Sequence, residues 1–211
     1  MSNIIDNKIK HSAEENEAYY DDVYSKSTSY KLAPEDMSKY YYCWKKCADY
    51  IVNNNIKLVI DIGCGPGHFP EVINKINKNL DFKYLGIDFS QTAIQMSKDK
   101  FVNNNNYKFL NNDALKINYN ELVKGYKIED VLFTSFEFME HITFDLELLK
   151  LLPKKYKYNW SVPSYKCKGH VRWFNSIEEI ISRYEKHVDF ENEIDISPFK
   201  KHTYYITSLI I

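Results

Sequence analysis

Two groups of residues in this sequence have the types and spacing to do chemistry. The first is Glu137, Glu140 and His141, at i, i+3 and i+4 within Ser135-Phe136-Glu137-Phe138-Met139-Glu140-His141-Ile142. On a helical turn that spacing puts three potential ligands or proton carriers on one face. His170 follows downstream in Lys166-Cys167-Lys168-Gly169-His170-Val171-Arg172-Trp173-Phe174. An unperturbed imidazole titrates near neutrality, so His141 and His170 are both candidates for a general base, with Glu140 beside them. The second group opens in LVIDIGCGPGHF, Leu58–Phe69, where an apolar run enters a turn at Gly63, Gly65 and Gly67. Glycine accepts positive φ angles and lets a ligand lie against the main chain, so the turn predicts a nucleotide-like ligand over a strand's carboxyl end. Asp88 closes the next apolar run, where a carboxylate can accept both hydroxyls of a ribose.

These groups act together only if regular elements bring them to one edge. Lys57–Ile62, Phe82–Asp88, Tyr107–Leu110, Asp130–Thr134 and Tyr158–Val162 read as five strands, each short and rich in β-branched or aromatic residues. Helices are predicted over Phe69–Lys78 and Gln91–Lys100, with Ser90 as the N-cap of the latter, and over Ile177–Lys186. Upstream, Met37, Tyr40, Tyr41, Trp44, Cys47, Ala48 and Ile51 recur at helical spacing from Glu35 to about Asn53. Alternating strands and helices make a parallel sheet covered on both faces. Val188–Ile196 and Thr203–Ile211 read as a closing hairpin-like pair that puts one antiparallel strand into that sheet.

Composition narrows the classes of function. The 211 residues suit one domain, divided here into an N-terminal arm (1–34) and the domain proper (35–211). Lys+Arg total 28 against 29 Asp+Glu, so no global basic field invites nucleic acid or an anionic membrane. No apolar segment approaches the roughly 20 residues that span a bilayer. The four cysteines form no C-x-x-C pair and no leader-like segment opens the chain, which reads as a reduced, cytoplasmic protein.

The turn Asp61-Ile62-Gly63-Cys64-Gly65-Pro66-Gly67 lacks the G-x-G-x-x-G spacing of dinucleotide folds and the Gly-Lys-Ser/Thr of phosphate loops. It resembles the first motif of class I S-adenosylmethionine-dependent methyltransferases. Asp88 and Asp113-Ala114 follow in the order and at the strand ends where that family continues its cofactor site. The resemblance implies a doubly wound, seven-stranded, mostly parallel sheet with one antiparallel strand near the C-terminus. It also implies S-adenosylmethionine as cofactor, held by Asp61, Gly63, Cys64, Gly65, Gly67, Asp88, Phe89, Asp113, Ala114 and Ser135, with Asp113 meeting the adenine amino group. The E-x-x-E-H run with a later histidine resembles the metal site of small-RNA 3′-terminal 2′-O-methyltransferases. In that reading Glu137, Glu140, His141 and His170 hold one Mg²⁺ or Mn²⁺; without an ion, His141 or His170 is the base.

The expected activity is methyl transfer to a small polar acceptor, most readily at oxygen. Three alternatives stay open at this level: an RNA 3′-terminal 2′-O-methyltransferase, an N-methyltransferase of a sugar or phosphorylated metabolite with Arg172 and Lys168 on the phosphate, and a non-catalytic cofactor-binding subunit. The tyrosine-rich stretch Tyr19–Leu32 reads equally as a lid over the cofactor mouth and as a surface turn. Arg172, Trp173 and Phe174 read either as a substrate wall with an anion-binding guanidinium or as an aromatic-anchored helix entry.

Overall fold

Apolar residues of both strand parities force the first strand, β1 (Leu58–Ile62), into the centre of the molecule, where all of its residues are buried. It is flanked in parallel by β2 (Lys83–Asp88) and β4 (Val131–Phe136). Beyond them lie β3 (Tyr107–Asn111) on one side and β5 (Lys157–Pro163) on the other. The last long strand, β8 (Thr203–Ile210), inserts antiparallel beside β5, and two short strands, β6 (Val188–Phe190) and β7 (Asp195–Ile196), pair antiparallel with its outer edge. The order is β3-β2-β1-β4-β5-β8-β6, with β7 also on β8. The computed structural model describes residues 13–76, 81–191 and 194–211. Residues 1–12 of the expected arm and 77–78 of the expected second helix lie outside them.

Among the described residues eight strands stand where seven were expected, because the run predicted as Val188–Ile196 holds two short strands, with its residues 192–193 outside the described ones. Both lie at the sheet's edge, where short strands leave little unpaired backbone to template aggregation. The other predicted elements are present with shifts of a few residues at their ends. Helices flank the sheet: α1 (Glu17–Lys26), α2 (Ser38–Asn53) after a 3₁₀ turn at Pro34–Met37, α3 (His68–Ile76) and α4 (Gln91–Lys100). Next come α5 (Tyr119–Leu122), α6 (Asp145–Leu151) and α7 (Ile177–Tyr184). Of these, α1, α5 and α6 have no counterpart in the sequence reading: α1 falls in the stretch read as a lid or a surface turn, and the four and seven residues of the others are too few to display a helical period.

Strand parity divides the core. Leu58, Ile60, Ile62, Phe133, Trp160 and Val162 pack with Leu148 of α6 and Ile180 of α7 on one face. Val59, Tyr84 and Leu132 pack with Cys47, Ile51 and Ile73 on the other. Both faces of a parallel sheet are thereby dry, and every polar strand end is driven to one edge.

Gly86, at the middle of β2, shows how tightly the layers meet. A Cβ built there stands 2.8 Å from the Cys64 sulfur and 2.9 Å from Cδ1 of Phe109. Overpacking of this kind costs about 1–3 kcal/mol, so Gly86→Ala is expected to lower the urea midpoint by that equivalent. An unchanged midpoint would show that the layers have room to spare.

Candidate functional site

The strands β1, β2, β3 and β4 end together, and the loops that leave them enclose two adjoining cavities of about 470 and 440 Å³. Gly63, Asp88, Phe89, Phe138 and Ile142 line both. Cys64, Gly65 and His68 line the larger, while Asn112, Asp113 and Ala114 line the smaller. The cleft is therefore continuous, with Asp88 at its waist.

The glycine turn takes the conformation its sequence demands, with φ of +74° at Gly63, +52° at Gly65 and +76° at Gly67. Asp88 fastens it: Oδ2 accepts from the Gly65 amide at 2.9 Å and Oδ1 from the Ser90 amide at 2.9 Å. Ser90 caps α4 by accepting from the Ala93 amide at 3.1 Å, as the sequence predicts. Asp113 Oδ1 accepts from the Leu115 amide at 2.9 Å, which holds the tip of β3 against the smaller cavity.

Two residues expected on the cofactor are otherwise engaged. Asp61 borders the larger cavity, yet its carboxylate accepts from Thr134 Oγ1 at 2.7 Å and from the Tyr84 hydroxyl, tying β1 to both neighbours. Ser135 faces the opposite side of β4 from Phe136, a cavity residue, and its hydroxyl pairs with that of Tyr158. Alternation along a strand allows one parity at the cleft, and Ser135 has the other.

At the far wall of the larger cavity, Glu140, His141 and His170 bring one ligand atom each to within 4.8 Å of the others. Nδ1 of His141 lies 3.0 Å from the Gly169 carbonyl, and Nδ1 of His170 lies 3.1 Å from that of Tyr165. A carbonyl only accepts, so each Nδ1 carries the hydrogen. Nε2 of His141 stands 3.7 Å from Glu140 Oε1, and both carboxylate oxygens of Glu140 are buried without a hydrogen-bond partner among the described residues.

Glu137 departs from the expected quartet. The segment after β4 is a turn rather than a helix, and Glu137 sits at φ +51°, so the i, i+3, i+4 argument does not apply to it. It lines the same cavity but accepts from Ser161 Oγ at 3.1 Å and from the Tyr165 hydroxyl at 3.3 Å.

Arg172 is no anion site. Its guanidinium is buried, donating to the carbonyls of Met139 and Ile142 at 2.5 Å each and of Thr143 at 3.1 Å. Asp145 backs it at 3.2 Å while also accepting from Arg183 and Tyr184. The Val171 amide donates to the Glu140 carbonyl at 2.8 Å, so this network holds the loop that carries Glu140 and His141. Phe174 is a core residue, and the aromatic-anchored reading of that segment is the one observed.

Helix α1 closes the cleft from outside. Tyr20 reaches His141 Nδ1 at 2.9 Å, and Asp21 accepts from Ser90 Oγ at 2.6 Å and the Thr92 amide at 3.0 Å. Tyr24 lines the larger cavity over Gly65, and before the helix Glu14 accepts from the Thr143 amide at 2.7 Å. Sequence reasoning missed two further cavity residues, Lys39 and His68. Lys39 sits on α2 with its ammonium 3.6 Å from the Tyr165 ring centroid. His68, which has no partner pattern in the sequence and reads there as a surface or packing residue, is buried, lines the cavity and stacks on Trp44 at 5.6 Å and 5°. Its place directly after the glycine turn was the available signal.

Burial dominates the electrostatics. It pushes Asp61 and Asp88 up to about 6 and Glu137 up to about 7; burial and then Glu137 raise Glu140 well above the carboxylate range. It pushes His68 and His141 down to about 4.

A family model described as a methyltransferase domain matches residues 53–159. No curated protein matches the sequence. Among solved structures, magnesium protoporphyrin IX methyltransferase of Synechocystis with bound S-adenosylmethionine superposes with a TM-score of 0.62 at 12% identity, covering 95% of this chain and 100% of that one. The N-methyltransferase NodS of Bradyrhizobium japonicum with S-adenosylhomocysteine gives 0.56 at 13%, over 78% and 86%. The [4+2]-cyclase SpnF gives 0.58 at 9%, over 79% and 80%. At such identities the likeness is one of fold.

The shifted groups predict a pH dependence. A carboxyl that keeps its proton when folded and has lost it when unfolded makes stability fall as pH rises between its two values. A histidine depressed on folding does the opposite, and its effect fades as pH rises past about 6.5. Above that point the raised carboxyls of Glu137 and Glu140 dominate. The urea midpoint of ligand-free protein is therefore expected to fall from about pH 6.5 to about pH 8, and Glu140→Gln to flatten the fall. A flat or rising profile in the native protein would contradict the raised carboxyls.

Proposed function

The chain belongs to the methyltransferase-domain family, a class I S-adenosylmethionine-dependent methyltransferase, and from that premise we propose that it methylates an oxygen of a small polar acceptor bound beside Glu140, His141 and His170. The observation that carries the proposal is Glu140, a buried carboxylate without a hydrogen-bond partner, beside two imidazoles on a wall of the same cavity as the glycine turn. Burial of an unpaired carboxylate is costly unless something else completes it.

The cleft fits the cofactor. A Cβ at Gly65 would meet nothing nearer than the Tyr24 hydroxyl at 3.4 Å, so the backbone there is bare toward the cavity. Asp88 uses two of its roughly four lone-pair positions on amides, which leaves the others for ribose hydroxyls. Asp113, Ala114 and Phe89 are suited to the adenine. When bound, S-adenosylmethionine supplies an activated methyl group on a sulfonium. What remains for the protein is to align the acceptor behind that methyl group and keep water out. Helix α1 serves the second task, with Tyr20 and Tyr24 forming the wall that residues 13–34 add to the cleft.

One carboxylate and two imidazoles, each ring oriented by a backbone carbonyl, also suit a divalent cation, and Mn²⁺, Fe²⁺ or Zn²⁺ better than Mg²⁺. Glu140, His141 and His170 would hold it, with Glu137 outside the set. Such an ion would supply the acidity that an alcohol lacks at neutral pH. His141, oriented by Gly169, keeps Nε2 as the acceptor for a proton leaving the substrate. The cavity's size and its closure by α1 favour a small molecule over a nucleic acid.

Two binding experiments test the proposal. Asp88→Ala is expected to weaken S-adenosylhomocysteine binding about tenfold or more by calorimetry; unchanged affinity would remove Asp88 from the ribose. Mn²⁺ titrated into the complex with S-adenosylhomocysteine is expected to bind once, and Glu140→Gln or His170→Ala to abolish it. No Mn²⁺ binding by the native complex would leave His141 and His170 as metal-free bases.

A further inference from the structure

We infer that His68 grips the amino-acid end of the cofactor, its Nε2 accepting a hydrogen bond from the α-ammonium group. This rests on the S-adenosylmethionine reading of the cleft and assigns a residue to which the sequence motif gives no role.

The order of the cleft places the ligand's parts. Asp113 and Ala114 line only the smaller cavity, and Asp88 lines both. With adenine at the first and ribose at the second, the amino-acid tail runs into the larger cavity along Gly63 and Gly65, beside which His68 opens α3.

Asp61, which also borders the larger cavity, ties β1 to both of its neighbours, with one oxygen on Thr134 and the other on Tyr84. His68 has an acceptor to offer instead. Its Nε2 is buried with no hydrogen-bond partner among the described residues, so a neutral ring with its hydrogen on Nδ1 presents a free lone pair there. Burial, then Lys100, holds the ring down to about 4, which keeps it neutral and accepting at physiological pH. The stack on Trp44 and the nearby Tyr30 ring, 6.4 Å away, fix its plane. A primary ammonium carries three donors and is a fitting partner for that lone pair.

The test compares S-adenosylhomocysteine with 5′-methylthioadenosine, which lacks the amino-acid tail, by calorimetry on the full chain. His68→Phe keeps an aromatic ring for Trp44 and removes the acceptor. It is expected to weaken S-adenosylhomocysteine about tenfold to a hundredfold and to change 5′-methylthioadenosine by less than about twofold. Equal losses for both ligands, or no loss for either, would overturn the assignment. Should that variant fail to fold, native protein answers with the deaminated analogue of S-adenosylhomocysteine. That analogue is expected to bind weaker by the same factor, and equal affinity would overturn the role of Nε2. Native protein that binds neither adenosyl ligand would instead bring down the cofactor reading itself.

Discussion

The carboxylate of Asp88 is the point from which the cleft is built. By accepting from Gly65 and Ser90 together, it locks the glycine turn to the start of α4 and so ties the end of β1 to the end of β2. The turn has three residues at positive φ, and such a backbone needs outside hydrogen bonds to stay in one shape. Burial raises the proton affinity of Asp88; the two amides work against that and favour the charged form. The site's geometry and its electrostatics therefore rest on the same two contacts.

Around that anchor the molecule separates positions that hold from positions that react. Arg172, Asp145, Arg183 and Tyr184 form a buried network whose outward face is a row of backbone carbonyls. Those carbonyls belong to the loop bearing Glu140 and His141, so the charged network acts on the chemistry only through backbone position. Asp61 does the same for the three central strands. In both cases a charged residue near the cleft is tied to the frame of the molecule.

Much of this was legible in the sequence where the code is local. Hydrophobic runs ending in glycine or aspartate located β1 and β2, and Ser90 announced its helix. Asp88, Asp113 and the glycine turn came out beside one cleft because a parallel sheet brings the ends of its strands to one edge. The losses came where the rule assumed a conformation or a partner. The spacing of Glu137, Glu140 and His141 means one face only on a helix, and Glu137 at φ +51° breaks that premise. Arg172 and Asp61 carry charges whose partners lie far along the chain, so no spacing reveals that they are satisfied internally. Ser135 was lost to parity alone. The eighth strand and the short helices α5 and α6 were invisible because their few residues carry no period, and α1 went unseen within a tyrosine-rich polar stretch that has no apolar stripe.

Helix α1 contains no fully buried residue. It stays in place through polar contacts at its two sides, Asp21 on Ser90 and Thr92, and Tyr20 on His141. Anything that enters or leaves the cleft past this helix must break those few bonds and part the ring contacts of Tyr20 with Phe89 and of Tyr24 with Tyr30.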